Sequence, residues 1–242
     1  MSDATRDEVC VVACAEAWRG DGAVLASAFG IIPTLGVRLA RATFEPDLLV
    51  SDGEALLIAN DLPIGSAEKQ VEGWLPFRTV FDMVWSGRRH VMMGATQIDR
   101  HGNQNISALG DHAHPKVALI GVRGAPGNTI NHATSYWVAG HSARTFVERV
   151  DVVSGVGTDR GAADLRCVVT NLCVFDFEVP DGTMRVRSVH PGVSVDEVLA
   201  NTAFAPVLPD DLTETRLPTE GELRLIREVL DPGDLRKTEV KP

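Results

Sequence analysis

Short apolar segments that alternate with amphipathic ones are the feature that most constrains the fold of this chain. A capping-box sequence, Thr5-Arg6-Asp7-Glu8, begins a run with helical spacing, and two more helices are predicted at Pro33–Thr43 and Pro76–Ser86. Capping boxes that start at Ser194 and Thr219 predict helices near the end. This alternation predicts an α/β fold in which helices flank a largely parallel central sheet.

Strands are predicted between these helices. They are Leu48–Ser51, Val91–Gly94, Val117–Gly121, Thr145–Val153, Cys167–Phe177 and Met184–His190. No repeat or low-complexity linker divides the 242 residues, so we expect a single domain over residues 1–242. The charged segment Asp234–Pro242 is expected to fray.

Charge and cysteine content exclude several classes of protein. The net charge of −10 argues against nucleic acid as a partner, and no apolar run approaches the roughly 20 residues that span a membrane. The polar first residues predict a cytoplasmic protein. Cys10 and Cys14 are expected to be buried on a helix, and the H-x-H pair His112 and His114 lacks a third ligand, so no metal site is expected.

A glycine-rich segment, Gly121–Asn128, follows an apolar strand and is the first candidate ligand site. Glycine permits positive φ and lets backbone amides approach an anion, while Arg123 adds a permanent charge with forked donors. Arg123, Gly124, Gly127 and Asn128 are therefore candidate substrate-binding residues. An ordinary turn at a strand end is the alternative.

Carboxylates and amides follow two other predicted strands. Asp52 and Glu54 have the i, i+2 spacing that places both side chains on one face of an extended chain. They are candidate catalytic residues, with solvated loop acids that cap the next helix as the alternative. Gln97 and Asn103 are candidate substrate-binding residues, although their amides suit a hydrogen-bonded turn equally well.

Three common catalytic signatures are missing from the sequence. There is no phosphate-binding P-loop, no complete dinucleotide fingerprint and no G-x-S-x-G nucleophile elbow. These absences argue against a nucleoside triphosphatase, a pyridine-nucleotide enzyme and a serine hydrolase.

Taken together, four motifs resemble the beta subunit of class I coenzyme A transferases. They are Gly94–Asn105, Gly121–Asn128, Val169–Phe175 and His190–Val198. The resemblance implies a CoA-transferase fold of the NagB-RpiA-like kind and an acyl-CoA ligand with no other cofactor. It also implies a companion alpha subunit, in a heterotetramer of two alpha and two beta chains.

Three further segments are similar to one branch of this family in particular: 72–77, 87–90 and 127–137. That branch opens the last steroid ring during cholesterol degradation. The implied reaction is hydrolytic carbon–carbon cleavage of a cyclic β-oxo acyl-CoA, a carboxyethyl-methyl-oxocyclohexene carboxyl-CoA. The resemblance also implies a catalytic base on the alpha subunit, with Arg123 binding the substrate carboxylate.

Asp52 departs from the pattern of the family. Family transferases carry a glutamate at the matching position, and it attacks the acyl-CoA. A side chain shorter by one carbon withdraws the carboxylate, and misplacement by roughly 1 Å can cost about a hundredfold in rate. Two alternatives to the hydrolase remain: the beta subunit of a true CoA transferase acting on small carboxylic acids, and a non-catalytic subunit that shapes the ligand site.

Overall fold

The computed structural model describes residues 4–52, 55–59 and 62–240. By their contacts these fall into two compact units, the first within Met1–Met93 and Thr215–Pro242 and the second within Gly94–Glu214. The expectation of a single domain over residues 1–242 stays a prediction. No helix within the described ranges is long and apolar enough to cross a membrane.

The helices of the described chain are α1 (Arg6–Glu16), α2 (Ile31–Thr43), α3 (Phe77–Ser86), α4 (Ala125–Asn131), α5 (Val195–Ala200) and α6 (Glu220–Arg224). The strands are β1 (Leu25–Ala28), β2 (Leu49–Val50), β3 (Leu56–Ile58), β4 (Val71–Trp74), β5 (Arg89–Gly94), β6 (Gln97–Ile98), β7 (Gln104–Asn105), β8 (Ala108–Leu109), β9 (Val117–Ala118), β10 (Ala133–Val138), β11 (Asp164–Thr170), β12 (Cys173–Asp176), β13 (Arg185–Val189) and β14 (Thr213–Glu214). All of the predicted helices are present, and α6 continues as a π-helical segment, Leu225–Leu230.

In the first unit, β1 lies between β2 and β5 and pairs with both in parallel. β1 was not predicted because its sequence, LASA, is short and rich in small residues. The strand is nevertheless buried, as parallel strands covered on both faces are. Strands β3 and β4 form a separate antiparallel hairpin.

Helices α1 and α2 pack together closely enough to require a glycine. A Cβ atom on Gly36 would lie 2.7 Å from Cβ of Cys14 and 3.0 Å from the backbone nitrogen of Ala15. The expectation that Cys10 and Cys14 are buried is confirmed, and both are free thiols. The capping box predicted at Thr5 is present as well.

The expectation that the C-terminal segment frays is wrong for the described residues up to Val240. Arg236, with a side chain only 3% exposed, forms ion pairs with the carboxylates of Asp7, Glu8, Asp231 and Asp234. Glu8 also pairs with Arg227 at 2.6 Å. We call this buried network the C-terminal clamp. The segment is ordered because Arg236 pairs both with local carboxylates, Asp231 and Asp234, and with distant ones, Asp7 and Glu8.

In the second unit, β10 and β11 are parallel, β11, β12 and β13 are antiparallel neighbours, and β13 and β14 are parallel. The predicted strand Cys167–Phe177 is therefore two strands. Its turn forms because the hydroxyl of Thr170 accepts hydrogen bonds from the amides of Leu172 and Cys173, both at 3.0 Å.

The predicted strand Thr145–Val153 is wrong. This segment forms turns and a single bridge from Phe146 to Ile98. Phe146 and Val150 are buried as separate anchors, so their hydrophobicity reflects local burial and no strand pairing. The α/β class itself, with a largely parallel sheet flanked by helices, is confirmed, because four of the six main strand pairings within the units are parallel.

Replacing Gly36 with alanine should destabilise the protein. Overpacking a close contact typically costs about 1–3 kcal/mol, which exceeds or offsets the roughly 1 kcal/mol that alanine gains over glycine in a helix. The urea midpoint of unfolding should fall. Gly233→Ala is the control, since a Cβ there would meet nothing within 4 Å. Equal midpoints for the two variants would contradict the close α1–α2 contact.

Acid should weaken the C-terminal clamp. Burial alone would raise the pKa of Glu8, but hydrogen bonds from Arg227 and Thr5 outweigh it and hold that pKa below its usual value. Such a carboxylate stabilises the fold fully above its unfolded pKa, about 4.3, and loses that contribution as pH falls through the lower folded value.

Denaturation between pH 7 and 3 should therefore show a free energy of unfolding that decreases below about pH 4.5. A Glu8→Gln variant should be less stable at pH 7 and should vary less with pH. Parallel profiles for this variant and the natural protein would show that Glu8 is not part of a stabilising ion pair.

Candidate functional site

Asp52 lies after β2, beside a pocket of about 180 Å³ in the first unit. Polar side chains that line the pocket are Thr34, Arg38, Ser51, Asp52, Ser66, Glu68, Lys69 and Gln70. Pockets for drug-sized ligands usually hold about 300–1,000 Å³. This pocket is therefore large enough for a small polar group and too small for a whole acyl-CoA.

The carboxylate of Asp52 is committed to its own turn. One oxygen accepts a hydrogen bond from the amide of Leu56 at 3.0 Å, and the other lies 2.7 Å from Nζ of Lys69. The side chain is only 4% exposed. The geometry favours a loop-stabilising acid over a nucleophile, although the turn leads into β3 and not into a helix. Glu54 lies outside the described residues, so its role stays a prediction.

Two cations near this pocket were not singled out from the sequence. Arg38 is buried on α2 and donates to the carbonyl of Leu62 at 2.7 Å, and burial lowers its pKa. Burial also lowers the pKa of Arg89 to about 10, so this side chain remains charged at neutral pH. The available signal was Arg38 itself, an arginine between apolar residues on the buried face of an amphipathic helix.

A chain of hydrogen bonds connects Arg89 to the pocket. Its Nε donates to the hydroxyl of Ser27 at 3.3 Å, and that hydroxyl lies 3.1 Å from the hydroxyl of Ser51, which lines the pocket. The pocket lining carries two cations, Arg38 and Lys69, and two carboxylates, those of Asp52 and Glu68, so it is polar with balanced charge.

In the second unit, the glycine-rich segment turns sharply into α4. Gly121 has φ +79°, as expected for glycine, but Arg123 also adopts a positive φ of 50°. A non-glycine residue in this region costs on the order of 1–3 kcal/mol and is typical of functional sites. Arg123 is exposed, and within the described parts of the chain it has no hydrogen-bond or ion-pair partner.

Only some of the amides in this segment are available to a ligand. Ala125 donates to the carbonyl of Val122 at 3.0 Å, Asn128 donates to that of Gly124 at 2.9 Å, and Pro126 has no N–H. Of the backbone amides in Gly124–Asn128, those of Gly124 and Gly127 therefore remain as candidate donors to a ligand. The Asn128 side chain is buried beside Gly124, where a Cβ would lie 3.4 Å from its Nδ2.

The amides of Gln97 and Asn103 have structural partners. Gln97 accepts from the Asn105 side chain at 2.7 Å and donates to Asp151 at 3.1 Å. Asn103 donates to both oxygens of Asp99 and accepts from the amide of Gly157 at 2.8 Å. These contacts favour the hydrogen-bonded turn that the sequence left open.

Contacts of Thr129 and Gly155 connect α4 to the rest of the second unit. The Thr129 hydroxyl on α4 accepts from the amide of Val156 at 3.1 Å. Gly155 lies between α4 and β7, and a Cβ there would come within 2.9 Å of Thr129 and 3.0 Å of the Gln104 side-chain oxygen. The two motifs that the sequence singled out therefore meet through Gly155, which lies against Thr129 of one and Gln104 of the other.

A buried thiol–imidazole pair in the second unit is unsuited to catalysis. Cys173 Sγ lies 3.8 Å from Nδ1 of His141. Burial raises the pKa of Cys173 to about 12 and lowers that of His141 to about 3, so both are neutral at pH 7. A nucleophilic cysteine needs the thiolate form. Across the described residues, no three His, Cys, Asp or Glu side chains are grouped to hold a metal ion.

Comparisons with known proteins show which family this chain resembles. A model of the family "Coenzyme A transferase" matches residues 77–201. The chain is 54% identical to the cholesterol ring-cleaving hydrolase IpdB subunit of Rhodococcus jostii, covering 99% of this chain and 98% of that one. It is 51% identical to the IpdB subunit of Mycobacterium tuberculosis, covering 98% and 99%. The crystal structure of Rhodococcus jostii IpdAB matches with a TM-score of 0.95 and 53% identity over the full length of both chains.

The strain at Arg123 can be tested on stability alone. Arg123→Gly should be at least as stable as the natural protein, because glycine adopts positive φ without a steric penalty. Arg123→Val should be less stable than Arg123→Gly by about 1–2 kcal/mol, since a β-branched residue disfavours this region. Thermal unfolding measures both, with Arg144→Val and Arg144→Gly as controls at another exposed arginine. Equal stability of the two Arg123 variants would contradict the positive φ.

Proposed function

This chain belongs to the coenzyme A transferase family, and we propose that it is the beta subunit of a hydrolase that opens the last ring of a cholesterol-derived acyl-CoA. The observation that carries the proposal is 54% identity over 99% of the chain to a subunit of a cholesterol ring-cleaving hydrolase. A companion alpha subunit completes the enzyme, as the two-subunit structure of the relative supports. Two chains of each kind make up the assembly.

The substrate is a cyclic β-oxo acyl-CoA that carries a carboxyethyl chain. A base removes a proton from water, and the water oxygen forms a bond to the carbon of the ring ketone. The bond from that carbon to the carbon beside the thioester then breaks. The electron pair of that bond passes to the thioester as an enolate, which takes up a proton. The former ketone carbon becomes a carboxylate at the other end of the opened chain. The product is an open-chain dicarboxylic acyl-CoA.

In this reaction the described residues bind and polarise the substrate. Arg123 pairs with the substrate carboxylate through its forked donors. The amides of Gly124 and Gly127, with the side chain of Asn128, stabilise the developing negative charge in this proposal. The strained, exposed backbone of Arg123 supports this role, because it holds an otherwise unpaired cation at the start of α4.

The catalytic base comes from the companion subunit. The alternative, a glutamate-like nucleophile on this chain, is weakly supported at Asp52 because one carboxylate oxygen accepts from the amide of Leu56 and the other pairs with Lys69. The reaction needs no cofactor beyond the CoA of the substrate. A cytoplasmic location completes the proposal, and the four free, buried cysteines fit a reducing compartment.

The Arg123→Ala variant tests the proposal in the assembled enzyme. Loss of a charge-assisted bond to the substrate carboxylate should lower kcat/KM for ring opening by about 10- to 100-fold. Arg144→Ala, at another exposed arginine of the same unit, is the matched control and should be unaffected. Steady-state kinetics with the cyclic acyl-CoA measure both variants. Unchanged kinetics for Arg123→Ala would remove Arg123 from the site.

A second measurement separates hydrolase from transferase. Hydrolysis in ¹⁸O-labelled water should place one labelled oxygen in the new carboxylate, and Asp52→Asn should retain activity. A hydroxylamine-sensitive enzyme–CoA thioester on this chain would instead establish the transferase alternative. If the companion subunit opened the ring at the full rate with an unrelated protein in place of this chain, this chain would have no specific role in the reaction.

A further inference from the structure

A cluster of exposed aromatic side chains lies on β4 and α3 of the first unit. Trp74, Phe77, Phe81 and Trp85 are 70%, 73%, 53% and 66% exposed, and Val71 beside them is 50% exposed. We call these five residues the aromatic surface. Phe77, Phe81 and Trp85 follow at i, i+4 and i+8, so they lie along one side of α3.

Helix α3 has little support from its own unit. Among its ten residues, only Val84 is buried. Isolated helices shorter than about 12–15 residues are marginal in water, and helices in proteins are stabilised mainly by packing of an apolar face. The apolar face of α3 is turned to solvent, which indicates that another molecule covers it.

The size of the aromatic surface fits an interface. Aromatic side chains carry roughly 150–250 Å² each, so four that are more than half exposed present about 500 Å² of apolar area. A standard interface buries about 800 Å² on each partner, and monomers rarely expose contiguous apolar patches of this size. Tryptophan is also among the residues that carry most binding energy at interfaces.

Strand β4, which carries Val71 and Trp74, is held in place before any partner binds. Arg41 on α2 donates to both carboxylate oxygens of Glu72 on β4, at 2.7 and 2.8 Å, and to the carbonyl of Ile58 on β3 at 2.9 Å. On α3, the rings of Phe77 and Phe81 pack edge to face with centroids 5.1 Å apart. A strand that is anchored in this way, as β4 is, loses little conformational entropy when a partner binds.

We propose that the aromatic surface is the docking site for the companion alpha subunit, an inference that rests on the proposed function. The chain runs directly from the pocket into this surface, because Lys69 and Gln70 line the pocket and β4 begins at Val71. A partner seated on β4 and α3 therefore lies next to this pocket.

A second copy of this chain is a poorer occupant. Each copy carries a net charge of −10, so two copies repel one another, and the aromatic surface presents only one arginine and one aspartate at its α3 rim, Arg78 and Asp82.

The test compares the natural chain with a Phe77→Ser/Phe81→Ser double variant. The control is Leu208→Ser, at an apolar residue that is 44% exposed in the second unit. Binding of each to the purified companion subunit is measured by titration in solution. We expect the double variant to bind at least about 30-fold more weakly, as truncation of central interface aromatics commonly does, and the control to bind normally.

Hydrogen exchange on the unmodified complex provides a measurement that no variant can confound. Amides of residues 71–86 should exchange more slowly once the companion is bound. No slowing there, or companion binding by a folded double variant with natural affinity, overturns the assignment. The assignment is also overturned if the natural chain forms a dimer that the double variant has lost while the affinity for the companion is unchanged. A second copy of this chain would then be the occupant of the aromatic surface.

The outcome for the surface is separable from that for the proposed function. A ring-opening assay on the unmodified pair decides the reaction. If the pair associates through residues 71–86 but opens no ring, the proposed function fails and the docking site stands. If the pair is active while residues 71–86 remain unprotected, the docking site fails and the proposed function stands.

Discussion

A single buried guanidinium connects the distant sequence segments that make up the first unit. Arg236 pairs with Asp7 and Glu8 at the start of α1, although more than two hundred residues separate them in the chain. Breaking a buried ion pair by removing one partner typically costs about 3–5 kcal/mol, because the remaining charges stay desolvated. The clamp therefore fixes where the C-terminal segment lies.

The pocket beside Asp52 depends on that placement. The amide of Ile64 donates to the carbonyl of Leu230 at 2.8 Å, and a Cβ on Gly65 would lie 2.8 Å from a methyl carbon of Leu235. Ile64 and Gly65 both line the pocket, so the C-terminal segment supports one of its walls. A charge network at the chain termini thus shapes a site formed by residues far from both ends.

The two candidate site regions differ in how their charged side chains are held. In the first unit, the amide of Leu56 and the ammonium group of Lys69 occupy the two oxygens of the Asp52 carboxylate, which disfavours nucleophilic attack. In the second unit, Arg123 is exposed and adopts a positive φ of 50°. Strain of this kind persists only where the surrounding structure supports it, and the hydrogen bonds from Ala125 to Val122 and from Asn128 to Gly124 lie on either side of this residue's turn.

Much of the fold was readable from the sequence, since capping boxes and helical periodicity are local signals. These signals predicted the first residues of α1, α3 and α5 to within one or two positions. Strands β1 and β10 were missed because small or polar residues such as Ser27, Thr134 and Ser135 are buried there, and only neighbouring strands make that burial favourable.

The sequence by itself determined the α/β class, the family, and the segments from which the site is built, because glycines and motifs act through local backbone geometry. Tertiary structure alone decided the roles of individual side chains. Whether Asn103 meets a ligand or Asp99, and whether Asp52 is free or paired with Lys69, depends on which groups the fold brings within 3 Å or so. Hydrogen bonds and ion pairs act over that range in space, and separation along the chain does not reveal it.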